Sequence, residues 1–282
     1  MTARSTLSRD TAPPVRQAVH EQLRADHRRN RSRDRIAIWG MRIGVVAALL
    51  LLWYAAGALE WMNPVFISDP VSVVESLVRL LSGPIWIDAG VTLSAALGGL
   101  ALGATTGVLS GLLLAELPRF RRAVQPVVTL ANSLPRPALA PIFLVWFGLG
   151  SGAKIAVSVS VVYFLLLITT LAGVDGVDAD RATLARTLGM TRLQRFRLLQ
   201  LPTAGPAILA GLRLGSVYSV LGVVVAEMVA STEGLGLRLV EATNQFDIAG
   251  SFAILLLLAL LAFALDWLVG QLQRRLPWIT AP

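Results

Sequence analysis

The chain carries few residues of the kinds that perform catalysis or bind metals. It has no cysteine, which excludes disulfides, thiol catalysis and cysteine-ligated zinc, and both histidines, His20 and His27, lie in a polar N-terminal tail. The glycine-rich loop with a terminal Gly-Lys-Ser/Thr that holds nucleotide phosphates is absent from the sequence. Glu227 and Asp266 lie in apolar runs, towards opposite ends of the predicted membrane helices. We therefore expect no enzymatic site, no metal and no cofactor.

Polar side chains within the apolar runs are the remaining candidates, and they suggest a path for a solute. Pro135, Pro137 and Pro141 interrupt one run, and the carbonyl groups they free must face protein or a watery cavity. An arginine inside a membrane run is a candidate for function, although Arg136 could instead reach the headgroups. The hydroxyl groups could equally form helix-to-helix hydrogen bonds. The predicted path residues are Asn132, Ser133, Arg136, Tyr163, Ser216 and Ser219.

Composition places these residues in a membrane protein. The chain is 55% hydrophobic and 15% charged, with a mean hydropathy of +0.68, whereas a soluble domain is about 25% charged. Several apolar runs reach the roughly 20 residues that a helix needs to cross a bilayer. The fold class predicted from these runs is all-α, a polytopic membrane protein with about six transmembrane helices.

The predicted order of segments follows from these runs. The outer parts are a basic cytoplasmic tail at 1–35, a first transmembrane helix at 36–59, an external segment at 60–88 with an amphipathic helix over Val71–Leu81, and a C-terminal tail at 276–282. The core, residues 89–275, includes a cytoplasmic loop at 173–203. Its spans are predicted at 89–116, 126–150, 155–171, 204–230 and 248–272, with a short inside loop at 117–125.

Arginine distribution gives the orientation. With both termini inside, the arginine-rich segments are the N-terminal tail, 117–125, 178–197 and 274–275, and all fall on one side of the membrane. The opposite segments carry Arg79, Lys154 and Arg238, mixed with acidic residues. The sequence therefore predicts that both termini are cytoplasmic.

Residues 178–202, which we call the basic segment, form the long charged interruption in the core. They are predicted to form two short helices, the first capped by Asp178 or Asp180 and ended by Gly189 in a left-handed conformation. Thr191 and Gln194 match a capping box that begins the second helix. Pro202 is predicted to mark the start of the next span.

The surface of the basic segment combines leucines with arginines. Leu184 and Leu188 share one face of the first predicted helix, and the remaining surface is strongly basic. Such an element can offer a partner a small apolar knob within a ring of charge. The alternative is an ordinary basic cytoplasmic loop.

A family resemblance favours the first interpretation. The order Ala185, Gly189, Leu199, Leu201-Pro202 resembles the EAA loop of permease subunits of bacterial ABC importers, although Thr183 stands at the usual glutamate and Leu184 at the first alanine. The runs ISDPVSVVESL, PIFLVWFGLGSGAK and Glu-Gly-Leu-Gly at 233–236 also resemble this family. The resemblance covers roughly residues 65–275 and is strongest to permeases for nitrate, sulfonate, taurine and bicarbonate.

The resemblance implies a type I ABC importer fold in the bacterial inner membrane and a path for a small solute, such as a sulfonate or nitrate. The implied partners are a cytoplasmic ABC ATPase, an external solute-binding protein, a second copy of the chain and membrane lipid, with no nucleic acid. Without the glutamate, docking would depend more on Leu184, Leu188 and shape. The implied ATPase-coupling residues are Thr183, Leu184, Ala185, Arg186, Leu188, Gly189, Arg192, Leu201 and Pro202. Two alternatives are an ion-coupled transporter or channel and a membrane scaffold without transport.

Overall fold

The computed structural model describes residues 38–55, 59, 68–229 and 231–275. The chain divides into two compact units, residues 1–64 and 65–282. In the first unit, helix α1 (Ile38–Ala55) is long and apolar enough to cross a membrane, within the span predicted at 36–59. The predicted tails at 1–35 and 276–282 lie outside the described residues.

The second unit consists of helices, and no strand occurs within 68–229 or 231–275. A 3₁₀ turn at Arg136–Leu139 precedes α5, and a π-helical turn at Phe196–Gln200 joins α8 to α9. The helices are α2 (Pro70–Leu81), α3 (Ile85–Glu116), α4 (Pro118–Ser133), α5 (Ala140–Phe147), α6 (Ser151–Asp175), α7 (Ala179–Thr187), α8 (Arg192–Arg195), α9 (Leu201–Val229), α10 (Leu235–Asn244) and α11 (Ile248–Arg274).

The prediction of about six membrane helices is confirmed. Among the described residues, five helices have the length and apolar character of a span. The number is six when α4 and α5, which are bent by 83° at the break between them, are counted as one broken span. The bend lies at the predicted proline-containing break. Pro141 does not add to it, because it occupies the first turn of α5, where a backbone N–H would have no helical partner.

Glycines on one face of α3 set the distance between α3 and α6. A Cβ added at Gly103 would lie 2.8 Å from Cβ of Val162, and one added at Gly107 would lie 2.5 Å from the carbonyl oxygen of Tyr163. Gly99 and Gly111 meet α6 as closely. Small residues at this four-residue spacing let two helix backbones approach within the membrane.

The inside loop predicted at 117–125 is wrong, because α4 begins at Pro118. Proline suits the first position of a helix, and arginine is a good helix former, so the basic residues extend the helix. Arg121 also fixes this end of α4 by a bidentate ion pair with Asp175 at the end of α6, with N–O distances of 2.7 and 2.6 Å.

The predicted separation between the second short helix and the next span is also wrong. The chain is helical from Arg192 to Val229, a length of 38 residues. The amide of Leu201 donates to the carbonyl of Phe196, five residues back. Because this wider turn precedes Pro202, the proline ring and its missing N–H are accommodated without ending the helix.

Candidate functional site

The first helix of the basic segment has defined ends. The Asp178 carboxylate accepts hydrogen bonds from the amides of Asp180 (2.7 Å) and Arg181 (3.3 Å), so Asp178 is the N-cap. Gly189 has φ +68° and closes α7 in a Schellman motif, in which the Met190 amide donates to the carbonyl of Ala185 at 3.0 Å. Both predictions, the acidic cap and the left-handed glycine, are confirmed.

The second helix begins at the predicted capping box. The Thr191 hydroxyl accepts from the Gln194 amide at 3.3 Å, and the Gln194 side chain accepts from the Thr191 amide at 2.8 Å. Only one residue, Met190, separates Gly189 from Thr191, so the turn is short and determined by local hydrogen bonds. This geometry fixes the angle at which α7 leaves the membrane helices.

An apolar knob projects from α7. Leu184 and Leu188 are 58% and 66% exposed, whereas Ala185 between them is buried with 2% exposure. The Thr183 hydroxyl donates to the carbonyl of Ala179 at 2.9 Å. Within the described residues, no arginine of the basic segment forms an ion pair; these are Arg181, Arg186, Arg192, Arg195 and Arg197. The segment therefore presents leucines and unpaired positive charge on its surface.

Three of the predicted path residues meet at the bend between α4 and α5. The Arg136 guanidinium donates to the Asn132 side-chain oxygen at 2.7 Å and to the Asn132 carbonyl at 3.0 Å. It also lies 4.5 Å above the ring centroid of Phe164 in α6. Ser133 donates to the carbonyl of Thr129. Arg136 thus closes the broken end of α4 and holds it against α6 by a cation–π contact.

The other three predicted path residues do not contact Arg136 directly, although Tyr163 is next to the ring that Arg136 covers. Tyr163 is half-buried and packs edge-on against Phe164, with ring centroids 5.0 Å apart. Ser216 and Ser219 are fully buried and donate to carbonyl groups within α9. The Ser219 carbonyl accepts from the Ser158 hydroxyl of α6 at 3.2 Å. In this conformation the serines belong to the α6–α9 contact, and a role in the path stays a prediction.

At the end of α9 farthest from the basic segment lies a buried polar network that sequence reasoning missed. The Glu227 carboxylate is 1% exposed and accepts from the Thr92 hydroxyl at 2.9 and 3.0 Å. Lys154 lies 3.4 Å from it, with its side chain 5% exposed, and donates to the carbonyl of Glu233 at 2.6 Å. The network thereby joins α3, α6 and α9.

The same network holds the N-terminus of α10. The amides of Gly234, Leu235 and Gly236 donate to Asp88, Thr92 and Glu227, at distances of 2.8, 3.0 and 2.9 Å. Such amides have no partner within their own helix, and here acidic and hydroxyl side chains of other helices satisfy them. Asp88 also pairs with Arg238 of α10 at 2.7 Å, and this hydrogen bond raises the pKa of the Arg238 guanidinium.

The placement of Lys154 corrects the sequence prediction. Lys154 was assigned to a segment outside the membrane helices, but it is a buried residue of α6. Its burial is possible because the ammonium group pairs with Glu227 and donates a hydrogen bond to a backbone carbonyl. The signal was available: Lys154 is the only lysine in a chain otherwise rich in arginine. Glu227 was likewise considered alone, as an acid near a helix end.

Comparison with known proteins identifies the family. The model for the binding-protein-dependent transport system inner membrane component matches residues 103–277, which include the basic segment and the end of α9. The chain belongs to this family of permeases. It is 31% identical over 246 residues to the taurine transport system permease of Escherichia coli, covering 84% of this chain and 89% of the relative.

Further relatives and solved structures agree with this assignment. The chain is 32% identical to the riboflavin transport system permease of Chloroflexus aurantiacus, covering 88% of this chain and 93% of the relative. It is 29% identical to the putative aliphatic sulfonates permease of Bacillus subtilis, covering 84% and 87%. Its fold resembles that of an inward-facing methionine ABC transporter, with a TM-score of 0.56 at 19% identity over 71% of this chain and 98% of the other.

Family membership establishes the broad role of the permease. It is a multi-pass inner-membrane subunit of an ABC importer, and the type I importer fold predicted from the sequence is confirmed. Subunits of this family act in transport that depends on a binding protein. The family assignment supports neither of the two alternatives raised from the sequence, an ion-coupled transporter or channel and a membrane scaffold without transport.

Proposed function

We propose that this permease couples to its ATPase through the basic segment and forms the path for a small anion. The observation that supports the coupling is the shape of α7: two exposed leucines lie beside a buried alanine, next to a glycine turn of fixed geometry. An exposed apolar pair of this kind is unfavourable in water and favourable in a groove of a partner. The coupling residues remain those predicted from the sequence: Thr183, Leu184, Ala185, Arg186, Leu188, Gly189, Arg192, Leu201 and Pro202.

The mechanism follows from the continuity of the helix. Movement of the docked α7 would reach α9 through the short turn at Gly189 and the capped start of α8. Because α8, the π-helical turn and α9 form one helix, a change of tilt at the cytoplasmic end would move the whole span. Thr183 cannot make the ion pair of the usual glutamate, so docking would depend on Leu184, Leu188 and shape.

The assembly that fits this mechanism contains two copies of the chain. A single copy of α4 and α5 leaves large apolar side chains exposed, among them Val145 at 82% and Trp146 at 69%. We propose that they face lipid and the second copy of a homodimer. The arginine-rich basic segment would lie in the cytoplasm, together with both termini, and α10 would lie on the external side.

The solute we propose is a small organic or inorganic anion such as a sulfonate or nitrate. The resemblance in the sequence and the taurine and sulfonate names of two relatives support it, whereas other relatives are named for riboflavin and for formylaminopyrimidine. Competition for binding-protein-dependent uptake, with taurine, nitrate and riboflavin as competitors, would separate the classes. Inhibition by riboflavin alone would overturn the proposal that the solute is a small anion.

The coupling proposal is tested by affinity purification from native membranes in mild detergent. An ATPase that co-purifies with the wild-type chain should be lost with Gly189→Trp, because a tryptophan at φ +68° strains the turn and adds a large side chain next to the exposed Leu188. Gly189→Asn is the matched control, since asparagine tolerates this conformation, and it should keep the ATPase. Transport and ATPase stimulation that survive Gly189→Trp would contradict the assignment.

A further inference from the structure

The turn between α10 and α11 contains a large aromatic residue in an unfavourable backbone conformation. Phe246 has φ +57°, the only non-glycine residue with positive φ among those the structure describes. Its side chain is 67% exposed. A bulky residue in the left-handed region is uncommon, because its Cβ crowds the backbone.

The hydrogen bonds around Phe246 show why its backbone cannot relax. The Phe246 amide donates to the carbonyl of Thr243 at 3.1 Å, and the Asp247 amide donates to the carbonyl of Ala242 at 2.9 Å, which is a Schellman motif. The Asp247 side chain in turn caps α11 by accepting from the Gly250 amide at 2.8 Å. The left-handed residue is thus fixed between the end of one helix and the start of the next.

The chain contains a matched case in which the same position is glycine. Gly189 closes α7 with the same pair of hydrogen bonds and φ +68°. At the α10 end the sequence has phenylalanine, whose ring makes no aromatic or cation–π contact within the described residues. With 67% of the residue exposed, packing within the described chain offers little compensation for the strained conformation. Strain of this kind is typical of ligand-binding positions.

The surroundings of Phe246 resemble a protein interface more than a lipid surface. A cavity of about 350 Å³ between α2, α10 and α11 has both Gln245 and Asp247 in its lining. Two arginines, Arg79 and Arg238, and the acidic Glu241 also line it. An exposed aromatic side chain beside hydrogen-bonding residues of both positive and negative charge is typical of a protein-binding surface. A surface that binds anionic lipid headgroups is instead rich in basic residues.

The buried polar network makes this surface rigid. Glu227, Thr92 and Asp88 hold the amides of the N-cap Gly234 and of the first two residues of α10. The helix that precedes Phe246 is therefore fixed at its other end to α3 and α9. α10 and the start of α11 lie at the end of the bundle opposite the basic segment. A rigid, preorganised aromatic side chain loses little conformational freedom when it is bound.

From these observations we infer that Phe246 is an anchor for the external solute-binding protein, which receives the ring in an apolar pocket and contacts the polar residues of the neighbouring cavity. The inference rests on the proposed function, because it takes the α10–α11 turn as external and the ATPase as the permease's partner at the cytoplasmic basic segment. Aromatic side chains that insert into a partner's pocket often dominate the binding energy of an interface.

The test uses the complete transporter reconstituted in vesicles with its ATPase and the binding protein identified by co-purification. ATP hydrolysis is measured while the binding protein is titrated. Phe246→Gly and Phe246→Ala should each raise the half-saturating concentration of binding protein about 10-fold. Phe246→Trp keeps an aromatic ring and should stay within about 3-fold of the wild type. Phe263→Ala removes an equally exposed phenylalanine within the α11 span and should not shift the titration.

Thermal stability distinguishes an anchor from a structural residue. Glycine suits the left-handed conformation, so Phe246→Gly should unfold at the same or a higher temperature than the wild type while it binds the partner more weakly. A lower unfolding temperature would mean that the ring stabilises the fold and would overturn the inference. A photoreactive benzoylphenylalanine at position 246 should cross-link to the binding protein; cross-linking to lipid alone would also overturn it.

The outcomes separate this inference from the proposed function. An unchanged titration with Phe246→Gly, in a complex whose ATPase is lost with Gly189→Trp, overturns the anchor and leaves the coupling proposal standing. A chain that purifies without an ATPase overturns both.

Discussion

The buried ion pair between Lys154 and Glu227 gives the sharpest prediction for stability. Lys154→Met keeps most of the side-chain volume but removes the ammonium group, so Glu227 retains a buried charge without a cationic partner. Both side chains are almost completely inaccessible, at 5% and 0% exposure. Breaking a buried pair by removal of one member costs about 3–5 kcal/mol.

The remaining contacts of Glu227 determine where the loss falls in this range. Thr92 and the Gly236 amide still donate to the carboxylate, so we expect a loss of about 3 kcal/mol, at the lower end. This corresponds to a change of about 100-fold in the ratio of folded to unfolded protein. An exposed pair is the matched control: Arg121→Met breaks the bidentate contact with Asp175, whose side chains are 26% and 53% exposed, and should cost at most about 1 kcal/mol.

The assay is a denaturant titration of the purified chain in mild detergent, followed by tryptophan fluorescence. Glu227→Gln and the double variant complete a double-mutant cycle with Lys154→Met. The double variant should be more stable than the sum of the single losses by about 2 kcal/mol, because it removes both charges together. Single losses that add to within about 0.5 kcal/mol would refute the reasoning, since the two groups would then not interact.

Other predictions concern glycines and a helix cap, with unfolding in detergent as the measurement. Gly148→Ala, with φ +75°, ψ −176° and open space, carries the backbone strain alone and should cost about 1–3 kcal/mol. Gly234→Ala has comparable backbone strain at φ +116°, and its new Cβ would also collide with a carboxylate of the network, so it should cost at least about 2 kcal/mol more. Equal costs would contradict the collision. Gly107→Ala should cost about 2 kcal/mol, because its Cβ would lie 2.5 Å from a backbone oxygen of α6. Gly98→Ala, at 3.5 Å from a flexible side chain, should be neutral or stabilising. A hydrogen bond from a hydroxyl in the first turn of α2 lowers the pKa of the capping Asp69 carboxyl. The stabilisation from this cap should therefore be complete above the ordinary carboxyl pKa and decline as the pH falls through the lowered value. Asp69→Asn should lack this acid-dependent loss, and an identical pH profile would exclude the cap as its source.

Local features of the fold were predictable from the sequence. The cap of α7 and the capping box of α8 depend on residues two or three positions apart, so their hydrogen bonds can be predicted from residue type and spacing. The left-handed turn at Gly189 followed from the residue type. The break near Pro135 followed from the geometry of proline.

Contacts between distant residues were not predictable in this way. Thr92 and Glu227 are 135 positions apart, and their hydrogen bond exists only because α3 and α9 pack side by side. Lys154 was assigned by charge to a polar segment because its partner was not evident from spacing. Phe246 was missed for the opposite reason, since residue type argues against the conformation that the two flanking helices impose on it.

The helix from Arg192 to Val229 has a mechanical consequence. Its 38 residues extend for about 57 Å, nearly twice the thickness of the hydrocarbon core of a bilayer. If the π-helical turn serves as a pivot, a tilt of about 5° displaces the far end of α9 by about 4 Å. Because Glu227 is near that end and binds α10 directly, a small rotation imposed at one surface of the membrane becomes a translation at the other. The helix would act as a lever arm, and the buried Glu227 would transmit its movement to α10.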